Sequence, residues 1–141
     1  MVERTEGALA SSRVRAGVID TDILIDVLRG VLDAAAFIAG LQEAGEVCMS
    51  IVSKMELIPG CRNRQELRQL QTFLQDFTPL PMTPSIAEVA CQWLETFALS
   101  HGLRMPDALI AATAAEHNLT LYTRNIRHFQ MLPDLDARRP Y

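Results

Sequence analysis

Two periods alternate along the chain from Gly17 onward. GVID (17–20) reads as a short strand, and the DILIDVLRG that follows as a short helix that Gly30 can end. LDAAAFIAGLQEAG (32–45) predicts a second helix closing at Gly45, EVCMSI (46–51) a strand, and SKMELIPG a further helix interrupted by Pro59 and Gly60. From Arg62 to Phe77, apolar residues at 67, 70, 73, 74 and 77 keep a helical period, and FTPL is a short strand broken by Pro79 and Pro81. Thr83 and Pro84 hold the cap and first-turn positions that each favours, and Gly102 stops the helix they open. Its apolar face is Ile86, Val89, Ala90, Trp93, Leu94 and Phe97. PDALIAATAAEHN (106–118) predicts the last helix, LTLYT (119–123) the last strand, and the tail after Phe129 reads as irregular. Residues 1–15 show neither period and are expected to be a flexible extension, which leaves 16–141 as a single domain.

Strands alternating with helices imply an α/β fold: a short-stranded parallel sheet covered on both faces, a three-layer α/β/α sandwich. Ligands of such sheets gather at the carboxyl ends of the strands. The acids fall there. Asp20 ends the first strand, Glu56 follows the second, Asp107 opens a helix near the same end, and Thr123 and Asn125 close the last strand.

Each residue also has a structural reading. Asp22 could be a helix N-cap, and Asp26, one turn on, a solvated helix residue. Ser53 and Glu56 form a capping-box pattern, Asp107 sits where a helix dipole favours a carboxylate, and Asn125 could make an Asx-turn. Asp20 has no evident helix to cap and ends an apolar strand, so it carries the chemical reading furthest. Jointly the acids are harder to explain away. Two unit charges about 4 Å apart repel by roughly 4 kcal/mol at an effective dielectric near 20. A cluster of Asp20, Glu56 and Asp107 therefore calls for a cation. All-oxygen ligands suit Mg²⁺ or Mn²⁺, and no Cys/His set competes for zinc. His101 and His117 suit helix C-termini, whereas His128 lies near the proposed edge.

Composition changes the picture modestly. The 141 residues carry a net charge of −4, and 49% are hydrophobic, as in a soluble globular chain. No apolar segment approaches the roughly 18 residues of a membrane span, and the N-terminus lacks a signal-peptide pattern. Cys48, Cys61 and Cys91 are widely spaced and read as reduced packing residues of a cytoplasmic protein. Every basic residue except Lys54 is arginine, which suits bidentate phosphate recognition, although genome composition could have the same effect.

VIDTDILID (18–26), SIVSKMELIPG (50–60), MPDALIAATA (105–114) and LYTRNIRHF (121–129) resemble, in order and spacing, the motifs of PIN-domain proteins. The nearest group is the VapC type, ribonuclease toxins of bacterial toxin–antitoxin pairs, and the likeness runs from Gly17 to Phe129. It implies a metal-dependent endoribonuclease on a PIN-like sandwich, with Asp20, Glu56 and Asp107 as its acids. Asn125 stands where many members have Asp, and Thr123 matches the family's hydroxyl. Three firm carboxylates then remain, which puts a second tightly held metal in doubt. The resemblance further implies an RNA substrate, a homodimer and a VapB-like antitoxin that covers the acidic site. Asp20 and Asp107 would hold Mg²⁺, Glu56 would orient a water, and Asp22 would support them. Arg104, Arg124 and Arg127 lie near the same edge in sequence and could either bind flanking phosphates or be solvated surface residues.

Two rival readings come from other classes. One is a PIN fold kept as a protein-binding module with weak catalysis, which Asn125 favours. The other is a haloacid-dehalogenase-like phosphatase using Asp20 and Asp22 of the DTD sequence. Against the latter, Leu24 occupies a position where that family has Thr or Val.

Overall fold

Short β-forming runs make a sheet in this chain because the helices between them cover its faces. The structure, a computed structural model, describes residues 14–141. Most of the extension expected over residues 1–15 therefore lies outside the described residues, and Arg15 is already in the first strand. The strands are β1 (Arg15–Ile19), β2 (Glu46–Ser50), β3 (Thr78–Leu80), β4 (Leu121–Tyr122) and β5 (Ala137–Arg138). The helices are α1 (Thr21–Leu28), α2 (Leu32–Ala44), α3 (Ile51–Leu57), α4 (Arg64–Leu74), α5 (Pro84–His101) and α6 (Met105–Glu116).

All strand pairs are parallel, in the order β3-β2-β1-β4-β5. The alternation of side chains on each strand divides the core into two halves. Val18 and Cys48 face the layer of α5 and α6, with Ile86, Trp93 and the buried alanines of α6. Ile19, Val47 and Met49 face the opposite layer, against Ile23 and Leu24 of α1, Ile38 of α2 and Leu70 and Leu74 of α4. This is the expected α/β/α sandwich. The alanines at 108, 111, 112 and 114 are wholly buried, so α6 lies close to both α5 and the sheet.

The helix signals in the sequence account for most boundaries. Thr83 caps α5 by accepting from the Ile86 amide, and Pro84 follows it. Gly102 ends α5 in the left-handed region at φ 68°, donating its N–H to Ala98 O. Two assignments need correction. The tail is not wholly irregular, because Ala137 and Arg138 add a two-residue parallel strand beside β4. The last predicted strand is shorter than LTLYT, leaving Thr123 beyond the end of β4.

The chain order matters for function. From central β1 it moves outward through β2 and β3, then returns to the other side of β1 for β4. The β1/β4 boundary is thus a switch point, where the loops leaving two adjacent strands diverge and open a crevice. Asp20 leaves β1 there, and Thr123 leaves β4.

Candidate active site

Asp20 sits at the crevice floor. It does cap a helix, contrary to expectation: its side chain accepts from the Thr21 amide at 2.8 Å and begins α1. Its other oxygen accepts from Thr123 Oγ1 at 2.8 Å. Only 5% of Asp20 is exposed. Burial, with the charge of Asp22 next and that of Asp107 a smaller contribution, raises its pKa from 3.8 to about 7, against the lowering effect of its two hydrogen bonds.

Asp22 is a first-turn residue of α1 and not its cap. Its Oδ2 accepts from the Arg124 amide at 3.0 Å and from Asn125 Nδ2 at 3.2 Å. Its Oδ1 is buried and has no hydrogen-bond partner among the described residues. Burial raises its pKa, with the Arg124 amide opposing. The Asn125 amide N–H in turn donates to Thr123 Oγ1 at 3.0 Å. Asn125 is thereby folded back onto the acids.

Glu56 reaches the same region by a route the capping-box pattern misassigns. The cap of α3 is Ser50, which accepts from the Val52 amide, so Ser53 lies inside the helix and is fully buried. Glu56, one turn after Val52, is free to face α1, where Thr21 Oγ1 donates to its Oε1 at 2.7 Å and lies 2.8 Å from Ser53 Oγ. Thr21 carries no signal of its own in the sequence; it is the bridge that joins α1 to α3. Asp107 opens α6, as predicted, and its Oδ2 lies 3.6 Å from His128 Nδ1. Burial raises the Asp107 pKa, the neighbouring His128 lowers it, and Glu56 raises it again. The mutual repulsion links Asp20 to Asp22 and Asp107, and Asp107 to Glu56.

Asp26 is the plainest departure from expectation. Far from being solvated, it is 6% exposed and accepts from Arg124 Nη1 at 2.8 Å and from Tyr141 Oη at 2.7 Å. The Arg124 guanidinium stands 5.9 Å from the Tyr141 ring centroid, and Arg139 Nη1 donates to Arg124 O at 3.1 Å. Arg124 is therefore a clamp more than a free phosphate ligand. The roles of Asp26, Tyr141 and Arg139 are invisible to sequence reasoning, because Asp26 lies about a hundred positions from the segments that hold it. Arg104 is exposed in the bend before α6, and its charge lowers the Asp107 pKa.

Among the described residues no three His, Cys, Asp or Glu side chains make a ready ligand set for a metal ion. The carboxylates are neighbours without being a closed cage. That arrangement fits a hard cation held by one or two carboxylates and otherwise by water, as Mg²⁺ usually is. The unpartnered Asp22 oxygen and the raised Asp20 pKa both mark a local deficit of positive charge. The donor set therefore suits such an ion.

Comparison with known proteins bears on the family and the fold. A family model described as PIN domain matches residues 17–133. Ribonuclease VapC10 of Mycobacterium tuberculosis is 37% identical over 118 residues, covering 83% of this chain and 88% of that protein. Ribonuclease VapC19 of the same organism is 38% identical over 125 residues, covering 87% and 98%. A solved toxin–antitoxin complex from Klebsiella pneumoniae contains a chain that superposes with TM-score 0.72 at 28% identity, covering 89% of this chain and 98% of that one. VapBC2 from Rickettsia felis, bound to a promoter DNA fragment, superposes with TM-score 0.76 at 22% identity, covering 86% and 96%, a likeness of fold.

Proposed function

The chain belongs to the PIN-domain family, and from that premise we propose that it is a divalent-metal-dependent endoribonuclease, the toxin of a toxin–antitoxin pair, with residues 16–141 acting as one domain. The observation that carries this reading is the set of mutually repelling carboxylates, Asp20, Asp22, Asp107 and Glu56, at the β1/β4 switch point. Family membership removes the phosphatase reading. The relatives named ribonucleases and the toxin–antitoxin complexes support the substrate and partner. No helix among the described residues is long and apolar enough to cross a membrane.

In this reading Asp20 and Asp107 hold Mg²⁺, or Mn²⁺. A divalent ion there supplies charge to polarise the scissile phosphate and to lower the pKa of an attacking water. The chain's own residues do the rest. Thr123 and the Thr21 amide fix both oxygens of Asp20, so its carboxylate is oriented before substrate arrives. Asn125 steadies Asp22 without adding a charge to the cluster. Glu56, exposed but tethered at one oxygen by Thr21, has its second oxygen available to orient a water or take its proton. Arg104 offers a cation for the approaching backbone. A VapB-like antitoxin, a homodimer and a cytoplasmic location complete the proposal.

The test is RNA cleavage by purified protein. Mg²⁺-dependent cleavage that is abolished by EDTA, by Asp20→Asn and by Asp107→Asn, each variant folded by circular dichroism, is the expected result. Cleavage at the parent rate by either variant would overturn the site. Folded parent protein that cleaves no RNA, yet binds a copurifying protein, would favour the binding-module reading that Asn125 raises.

A further inference from the structure

The loop after β4 presents a second chemical surface that the acids do not use. A cavity of about 440 Å³ is walled by Arg124, Asn125, Arg127, His128, Gln130 and Arg139, with Ile126 at its side, and among the described residues no Asp or Glu lines it. Its size lies within the usual range for small-ligand sites. Two distant parts of the chain build it, the 124–130 loop and the C-terminal strap that follows β5. Arg124 contributes mainly wall, since its guanidinium is engaged by Asp26. Arg139 is half-committed: Nε donates to Tyr141 O at 3.2 Å and Nη1 to Arg124 O at 3.1 Å, which leaves Nη2 for a ligand. Arg127 is exposed and makes no hydrogen bond or ion pair among the described residues.

Two of these lining residues also touch the acids, Asn125 on Asp22 and His128 beside Asp107. A basic cavity therefore opens immediately next to an acidic edge in a chain whose net charge is −4. The acidic edge repels a polyanion, and overall charge gives no help. Local cations must hold it. We propose that this cavity is a phosphate subsite, in which Arg127 and Arg139, with Gln130, grip a backbone phosphate flanking the scissile one. The inference rests on the ribonuclease reading and deepens it: RNA is held by its backbone on the side of the C-terminal strap. An acidic peptide would suit the same charges. The adjacency of the cavity to the acids favours the strand that the acids would cut.

Binding of a fluorescein-labelled single-stranded RNA octamer is measured by anisotropy in EDTA across a KCl series, and KM and kcat for its cleavage with Mg²⁺. The proteins are the full-length parent, Arg127→Gln, Arg127→Lys, Arg127→Gln/Arg139→Gln, and Arg68→Gln as a remote exposed control on α4. Arg127→Gln breaks no internal contact, so it reads the cavity even if loss of Arg139 loosens the strap. It is expected to weaken binding several-fold and to flatten the log–log salt slope by about 0.7, the value of one single-strand phosphate contact. KM should rise more than kcat falls, Arg127→Lys should keep the parent slope, and Arg68→Gln should change neither. A methylphosphonate scan of the RNA should find one linkage whose neutralisation weakens the parent but not the double variant. Parent-like slope and KM in both Arg127→Gln and the double variant overturn the subsite while leaving cleavage, and so the ribonuclease reading, intact. RNA binding that depends on the arginines without any cleavage sinks the nuclease reading and keeps the subsite; no RNA binding by the parent sinks both.

Discussion

Substituting Asp20 by asparagine should stabilise the metal-free protein at high pH and do nothing of the kind at low pH. The carboxyl is buried and its pKa stands at about 7 in the fold, against 3.8 in an unfolded chain. Between those values the folded protein holds a proton that the unfolded chain has released, so stability falls as pH rises through the window. The penalty is complete above about pH 7, and moving a carboxyl from 3.8 to about 7 corresponds to an upper limit of about 4 kcal/mol. The amide introduced by Asp20→Asn is neutral throughout. Its carbonyl can accept from the Thr21 amide and its N–H can donate to Thr123 Oγ1, although the reversed second bond costs about 1 kcal/mol. The net expectation is a gain of about 2–3 kcal/mol at pH 8 and none, or a small loss, near pH 4. Urea unfolding in EDTA reads this through Trp93, the single tryptophan, which is buried against the sheet. Adding Mg²⁺ at pH 8 should then stabilise the parent and leave the variant unmoved. Equal dependence of stability on pH in the two proteins between pH 5 and 8 would refute the reasoning.

Glu56→Gln keeps the oxygen that accepts from Thr21, so its urea midpoint should match the parent while RNA cleavage falls by about 10²-fold or more; full activity would return Glu56 to a structural role. Tyr141→Phe removes one of two donors to buried Asp26 and should cost about 1 kcal/mol, whereas Arg124→Ala leaves Asp26 without its cation and should cost about 3 kcal/mol, both read by urea unfolding. Equal costs would show that the ion pair adds nothing to the Tyr141 bond. Asn125→Asp sets a second charge against Asp22, so it should lower stability in EDTA and tighten Mg²⁺ binding by calorimetry. Identical Mg²⁺ affinities would put Asn125 outside the site.

The fold is legible because its signals are local. The short apolar runs of β1 and β2, the Thr83–Pro84 start and the Gly102 stop of α5 each lie within a few residues of what they determine. The errors share a cause. SKME has the pattern of a capping box, but Ser50 lies nearer the end of β2 and takes the cap first, which turns Ser53 and Glu56 toward Thr21. Asp20 looks capless when the strand is read as handing over to a helix at Asp22, whereas the helix starts one residue after Asp20 itself. The second strand neighbour of β4 is two residues long, too short for any period to declare it.

Three aspartates at positions 20, 22 and 26 interrupt an apolar run, and the structure divides them by what satisfies each. All three are tied to the segment Thr123–Asn125: Asp20 to the Thr123 hydroxyl, Asp22 to the Arg124 amide, Asp26 to the Arg124 side chain. Asp22 and Asp26 are one turn apart on α1, so a single loop can reach both. Only Asp26 receives a full cation together with a second donor, from Tyr141. Asp22 is left with one buried oxygen unpartnered among the described residues, and Asp20 with a raised pKa despite two hydrogen bonds. The protein thus compensates the charge farthest from the crevice with its own arginine and leaves the two nearest the crevice under-compensated. Asp26, Arg124 and Tyr141 hold the loop in position, and the loop holds Asp20 and Asp22 where their charges repel. Sequence reasoning finds the carboxylates that gather at the crevice. Which acid already has its cation depends on contacts spanning 98 and 115 residues, and only the folded chain brings those together.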